Sequence, residues 1–261
     1  MSRKQLDVTH AHHVMETVCH MKPDVIIHAA AMTAVDAAEE HSELAHSINA
    51  YGTRNVAAAA KQIDAKLLYV STDYVFRGDK GLPYVETDIP SPLNVYGKTK
   101  LLGEQFVESI CDKYFIVRTS WLYGSHGNNF VKKIVAASRR NHEIFASADN
   151  IGSPTYSYDL ACFLQHLMMT DKYGIYHASG NGCCSRYEFA EAILKEAGMF
   201  RTKVIPVQSD VFALPAVRPL NTSLDNLAIR KNELPALRHW RIALQEFVQK
   251  DLFFKKGMGA V

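Results

Sequence analysis

The first glycine of this 261-residue chain is Gly52, so its opening fifth holds no glycine-rich turn of the kind that cradles phosphates. Long apolar runs are also missing. "MSRKQLDVTHAHHV" has no signal-peptide core, and no stretch is long and apolar enough to span a bilayer. Charge of one sign is scarce: the formal net charge is +2, which argues against nucleic-acid or membrane-surface partners. The five cysteines (Cys19, Cys111, Cys162, Cys183, Cys184) are odd in number and lack disulfide-framework or metal-ligand spacing. They read as reduced thiols of a cytoplasmic protein, and no bound metal is expected. Neither an internal repeat nor a low-complexity tract is present.

What is there is an ordinary globular composition, 48% hydrophobic and 21% charged. Short apolar runs alternate with helical patterns. "DVIIHAAA" (24–31), "KLLYVST" (66–72), "YFIVRTSW" (114–121) and "GIYHAS" (174–179) read as buried strands. Residues 44–62, 95–109 and 130–139 read as helices. Ser185 with Glu188 forms a capping-box pattern opening a helix through Glu196, and a last helical stretch covers 240–250. Continuous apolar strands separated by helices imply an α/β fold, a doubly wound parallel sheet covered on both faces. Past Trp121 the rhythm loosens, and prolines at 206, 215, 219 and 235 suggest a smaller lobe interleaved with the first. The expected division is 1–124 with 154–178 for the sheet domain, and 125–153 with 179–261 for the smaller lobe.

Ligands of an open parallel sheet bind beyond the carboxyl ends of its strands. "HAAAMTAVD", "STDYVF" and "RTSWLYG" fall at three such ends, and Tyr96 and Lys100 lie on the helix between the last two. Tyr-x-x-x-Lys is common by chance, but an i, i+4 pair faces one direction and can reach one cleft. Reduction of a ketone by hydride leaves charge on oxygen that must be protonated as it develops. A phenol is a usable donor, and a neighbouring lysine cation is expected to lower its pKa. Thr72 could bond the same oxygen, and the hydride must come from a nicotinamide. Other readings stay open: Thr72 as a strand-end cap, Asp73 as a turn residue, Trp121 as a half-buried aromatic.

The series "STDYVFRGDKGLPYVETDIPSPLNVYGKTKLLGE", with "KPDVIIHAAAMTAVDAAEE", "INAYGTRNVA", "VRTSWLYG", "NNFV", "IGSPTYSYDLA", "GIYHASG" and "VRPLNTSLDN", resembles the extended short-chain dehydrogenase/reductases. Within them it is similar to the dTDP-4-dehydrorhamnose reductase family, and the likeness runs nearly end to end. The resemblance implies a Rossmann-like fold and NADPH- or NADH-dependent reduction of a 4-keto dTDP-sugar for cell-surface polysaccharide. It implies Thr72, Tyr96 and Lys100 as the catalytic set. Thr72, Asp73 and Trp121 would meet the sugar nucleotide, with Trp121 as a platform for the sugar. Asp7, Val8, Ala31, Met32 and Thr33 would line the cofactor site together with Tyr96 and Lys100. A homodimer is a further expectation.

The family pattern opens with a strand, a Gly-x-x-Gly-x-x-Gly turn and a helix, and none of these precedes "DVIIHAA". The chain therefore reads either as a fragment or misplaced start of a longer enzyme, or as a shortened product; the intact Thr72–Tyr96–Lys100 series favours the first. A regulatory subunit resembling that of methionine adenosyltransferase is the alternative from another class. Another nucleotide-sugar reductase or epimerase is the alternative on the same scaffold.

Overall fold

The computed structural model describes residues 1–252; the last nine residues of the expected smaller lobe lie outside them. Four parallel strands build the main sheet: β1 (Val25–His28), β2 (Lys66–Thr72), β3 (Tyr114–Thr119) and β5 (Gly174–His177), side by side in that order. Side chains of a strand alternate between faces. Leu67, Tyr69 and Ile116 accordingly enter a cluster with Val14, Val56, Ala60 and Val107, whereas Leu68, Phe115 and Val117 enter another with Leu160, Phe163 and Leu167. The first cluster is roofed by α1 (Ala11–Met21), α3 (Gly52–Gln62) and α4 (Val95–Ile110), the second by α6 (Ser157–Met168). This is why the middles of β2 (Leu67–Val70) and β3 (Phe115–Val117) are apolar on both faces rather than alternating.

The expected helix over 44–62 is interrupted. After α2 (Val35–Glu40), the chain winds through Ser42–Ala45 and a π-helical stretch, His46–Tyr51, before α3 begins. Such widened turns accompany functional positions, and this one carries Asn49, which returns below.

A third cluster gathers around a two-stranded parallel pair, β4 (Glu143–Ser147) and β6 (Lys203–Val207). Val131 and Ile134 of α5 (Phe130–Ser138), Phe189 and Ile193 of α7 (Arg186–Glu196), and Leu244 and Phe247 of α8 (Trp240–Phe247) fill it. The capping box of α7 is formed as expected: Ser185 Oγ accepts from Glu188 N at 3.0 Å, and Glu188 Oε2 accepts from Ser185 N at 2.7 Å. The chain then returns to the sheet, where Ile229, Leu234 and Leu237 pack against the α6 face.

Among the described residues β1 pairs only with β2, so its other edge is open. Along that edge lies a cavity of about 870 Å³, bordered by α1, β1 and the first residues of the chain.

Two histidines are buried with the sheet. His28 bonds Thr53 Oγ1 at 3.0 Å and stacks on Tyr69; His177 bonds the Tyr84 carbonyl oxygen at 3.0 Å. Burial, helped by the charge of Lys100 for His28 and of Arg118 for His177, lowers both to about 3 from the ordinary 6.5. Between those values the unfolded chain binds protons that the folded chain does not, so stability falls as pH drops below 6.5. Each histidine contributes a slope of about 1.4 kcal/mol per pH unit. Urea midpoints measured at pH 7 and pH 5 should therefore separate clearly, and His28→Gln or His177→Gln should narrow the gap. Equal midpoints would remove this account of the buried imidazoles.

Candidate active site

The site forms where β2 and β3 end and α4 begins. Asn94 caps α4, its Oδ1 accepting from Gly97 N at 2.9 Å, and Glu39 Oε2 accepts from Val95 N at 2.9 Å. Gly97 packs so closely on the Tyr74 carbonyl that a Cβ there would collide with it. These contacts fix the first turn of α4, and with it Tyr96, against the end of β2.

Tyr96 is half-buried, edge-on to Tyr74 with ring centroids 6.0 Å apart. Burial pushes its phenol well above the usual tyrosine value, while the Thr72 hydroxyl opposes that shift. Lys100 is fully buried, and its Nζ donates to the Val70 carbonyl at 2.8 Å and sits 4.0 Å over the Tyr69 ring. Loss of hydration lowers Lys100 to about 7, with Glu104 opposing. The expected lowering of the tyrosine by the lysine is therefore not what the structure has. A buried ammonium takes the nearest backbone acceptor and aromatic face, and burial governs the phenol. Tyr96 is consequently protonated at neutral pH.

Thr72 ends β2; its hydroxyl accepts from Tyr74 N at 3.1 Å and donates to Asp73 Oδ1 at 3.1 Å. Asp73 is buried rather than a solvated turn residue. Its Oδ2 accepts from Ser120 Oγ at 2.9 Å and from Thr222 Oγ1, and burial raises its pKa against those bonds. Trp121 follows β3 with a positive φ of 46°, a region uncommon for a bulky residue. Its indole lies so close to Gly152 that a Cβ there would run into the ring.

Asp7, Val8, Ala31 and Met32 all line the cavity beside β1, while Thr33 is exposed and outside that lining. Thr9 N and Oγ1 bond the Asp7 carboxylate at 3.0 and 2.8 Å and hold it down to about 2. Asn49 of the π-helical stretch ties this region to α4. Its amide accepts from Met32 N at 2.7 Å and donates to Met32 O at 3.2 Å and Thr99 Oγ1 at 3.0 Å. Two features would suit a dinucleotide: the Asp7 carboxylate has acceptor oxygens that a ribose could use, and the Met32 backbone is held through Asn49 to Thr99 of α4. No glycine lines the cavity, so close backbone approach to a pyrophosphate is not built into its wall.

A second pocket, about 320 Å³, is bordered by Tyr74. Trp121, Phe130, Asn150, Arg186, Arg218 and Thr222 are among its walls. Arg218 makes a two-pronged ion pair with Asp36, 2.6 Å at the longer contact, which ties the loop bearing Arg218 to the stretch after β1. Tyr74, Arg186, Arg218 and Thr222 carry no role in the sequence reading. "VRPLNTSLDN" was the available signal for two of them, but only the fold brings it to Asp73 and Tyr74.

A family model described as "RmlD substrate binding domain" matches residues 1–253. The dTDP-4-dehydrorhamnose reductase of Aggregatibacter actinomycetemcomitans is 41% identical over 238 residues, covering 87% of this chain and 81% of that protein. The chain belongs to the dTDP-4-dehydrorhamnose reductase family. The Bacillus subtilis spore coat polysaccharide biosynthesis protein SpsK is 36% identical over 250 residues, covering 96% of this chain and 87% of that protein. Among solved structures, dTDP-4-dehydrorhamnose reductase from Bacillus anthracis, in complex with NADP, superposes with a TM-score of 0.93 at 44% identity. That match covers 96% of this chain and 89% of the Bacillus anthracis chain. The Rossmann-like reductase fold is thus common to the family and to this chain, and no helix among the described residues is long and apolar enough to cross a membrane.

Proposed function

We propose that this chain reduces the 4-keto group of dTDP-4-dehydro-L-rhamnose to give dTDP-L-rhamnose, with NADPH or NADH as reductant. The observation that supports the proposal is that Thr72 ends β2 with its hydroxyl close enough to Tyr96 to act on the phenol, while Lys100, one turn further along α4, is tied by Nζ to the Val70 carbonyl of the same strand. The nicotinamide supplies the hydride. Tyr96 supplies the proton: its phenol is held protonated by burial, and the alkoxide formed at the sugar is a stronger base than a phenolate, so transfer runs downhill. Thr72 orients the reacting oxygen, and the protonated fraction of Lys100, about half at pH 7, adds positive charge nearby as negative charge develops. Asp7, Val8, Ala31, Met32 and Thr33 belong to the cofactor side of this reading, Asp73 and Trp121 to the sugar-nucleotide side. A cytoplasmic setting and a homodimer are part of it; the described cysteines, none of them in a disulfide, support the first. The names carried by the relatives favour a reductase over a regulatory subunit.

The test is consumption of NADPH on addition of dTDP-4-dehydro-L-rhamnose, with dTDP-L-rhamnose identified as product. Cofactor consumption with a different dTDP-sugar and none with this one would move the assignment to another nucleotide-sugar reductase. Trp121→Ala should weaken sugar-nucleotide binding by about 1–3 kcal/mol, the worth of a buried aromatic contact, and leave NADPH binding nearly unchanged. Calorimetry showing the reverse pattern would return Trp121 to a packing role.

A further inference from the structure

Arg186 is out of keeping with its surroundings. It is the first residue of α7, tied to its position through its backbone N–H, which donates to Asn150 O at 3.0 Å. Its guanidinium carbon lies 3.5 Å from the centroid of the Trp121 ring and 4.8 Å from that of Phe130. Among the described residues no carboxylate stands within ion-pairing distance of it, while the cations Arg3, Arg77, Arg118, Arg218, Arg230 and Arg238 each have one. Desolvation lowers its pKa, and the nearby Asp73 carboxyl opposes that loss. Asp73 does not serve as an ion-pair partner, because it stands outside ion-pairing distance and its oxygens are taken by Thr72, Ser120 and Thr222.

A guanidinium on an aromatic face gains cation–π attraction but leaves its five donors without an acceptor. A planar fork of this kind matches the paired oxygens of a phosphate. Arg218 lines the same pocket, its guanidinium already committed to Asp36. Arg186 is therefore the wall residue whose donors are free for an anion.

We propose that Arg186 is a displaceable occupant of the Trp121 face: a nucleoside diphosphate sugar entering the pocket draws the guanidinium off the indole onto its diphosphate, and the sugar takes the vacated ring. The inference rests on the nucleotide-sugar reading given above and adds the device that couples recognition of the diphosphate to opening of the platform. It also makes diphosphate and sugar binding interdependent. A nucleoside without phosphates has nothing to draw Arg186 away, so it gains none of this coupling.

The experiment compares dTDP and thymidine binding by calorimetry to the wild-type chain, Arg186→Met and Arg186→Lys, while Trp121 emission is followed on addition of dTDP. Loss of charge-assisted bonds should weaken dTDP binding by about 10- to 100-fold in Arg186→Met, with thymidine binding unchanged. Arg186→Lys, which keeps the charge but not the fork, should fall between. Wild-type emission should shift as the guanidinium leaves the indole; Trp240, buried in the core, supplies a background common to all three proteins. The shift should be absent in Arg186→Met. Retained thymidine binding establishes that each variant is folded. If dTDP binds the wild type and Arg186→Met alike, the assignment of Arg186 is overturned while the nucleotide-sugar reading stands. If dTDP affinity drops but wild-type emission is unmoved, displacement from Trp121 is overturned. If the wild type binds neither compound, the nucleotide-sugar reading itself falls, and this inference with it.

Discussion

Tyr96→Phe should lower turnover by about 10²- to 10⁴-fold, the range that positioned proton donors contribute, while KM for the sugar nucleotide changes little. In the proposed reaction the phenol acts as charge appears on the reacting oxygen, so its loss would remove an interaction made in the transition state rather than in the ground state. The substitution keeps the ring, and with it the edge contact to Tyr74 and the packing of the first turn of α4. A folding defect is thereby separated from a chemical one. Turnover within a few-fold of wild type would transfer the donor role away from Tyr96.

Arg118→Met should destabilise the fold by about 3–5 kcal/mol, because it leaves a buried carboxylate without its partner. Arg118 and Glu104 are almost fully enclosed, with Arg118 Nη2 2.6 Å from Glu104 Oε2 and Arg118 Nε 3.0 Å from Glu104 Oε1. Ser71 Oγ donates to the same carboxylate, and Arg118 Nη1 approaches His177 Nε2 at 3.4 Å. Against a total stability of about 5–15 kcal/mol, the loss is large enough to lower the melting temperature by roughly 10 °C. The double variant Glu104→Leu/Arg118→Met should recover most of it, since a buried ion pair as a whole is worth little over an apolar replacement. A single variant melting within 2–3 °C of wild type would mean that Glu104 is relieved by protonation or water at small cost. The pair also has a positional consequence. Glu104 lies one helical turn beyond Lys100 on α4, so the bond to Arg118 of β3 pins the helix that carries Tyr96 and Lys100 to the strand that leads to Trp121.

Elements whose sequence carried both an apolar period and a boundary signal were legible. β2 runs over the expected Lys66–Thr72, and the helix expected over 95–109 runs Val95–Ile110, opened by Asn94. The helix Ala11–Met21 was not read as an element. Its buried face is only Val14 and Val18, in a stretch rich in histidine and methionine, which gives little periodicity to find. The β4–β6 pair was missed for another reason: its strands stand about sixty residues apart, and the second contains Pro206, a residue that ordinarily argues against a strand. The proline is tolerated because β6 pairs on one side alone among the described residues.

The candidate site was legible as a set of residue types at strand ends, but not in its electrostatics. Nothing in Tyr-x-x-x-Lys says that Lys100 reaches back to Val70 and Tyr69, because that depends on the depth at which α4 sits on the sheet. Arg186 shows the same limit. It follows a helix cap, where an arginine is unremarkable, and only the fold lays it on an indole that precedes it by sixty-five positions.

In the proposed reaction the groups around Tyr96 direct hydride to the 4-keto carbon of a dTDP-sugar. NADPH carrying deuterium at its transferring position, incubated with the protein and dTDP-4-dehydro-L-rhamnose, reads this directly by mass spectrometry and NMR of the product. The expected product is dTDP-L-rhamnose with one deuterium, located on the former carbonyl carbon, and almost none formed over the same interval by Tyr96→Phe. Product without deuterium at that carbon, or wild type and Tyr96→Phe labelling it equally fast, would contradict it.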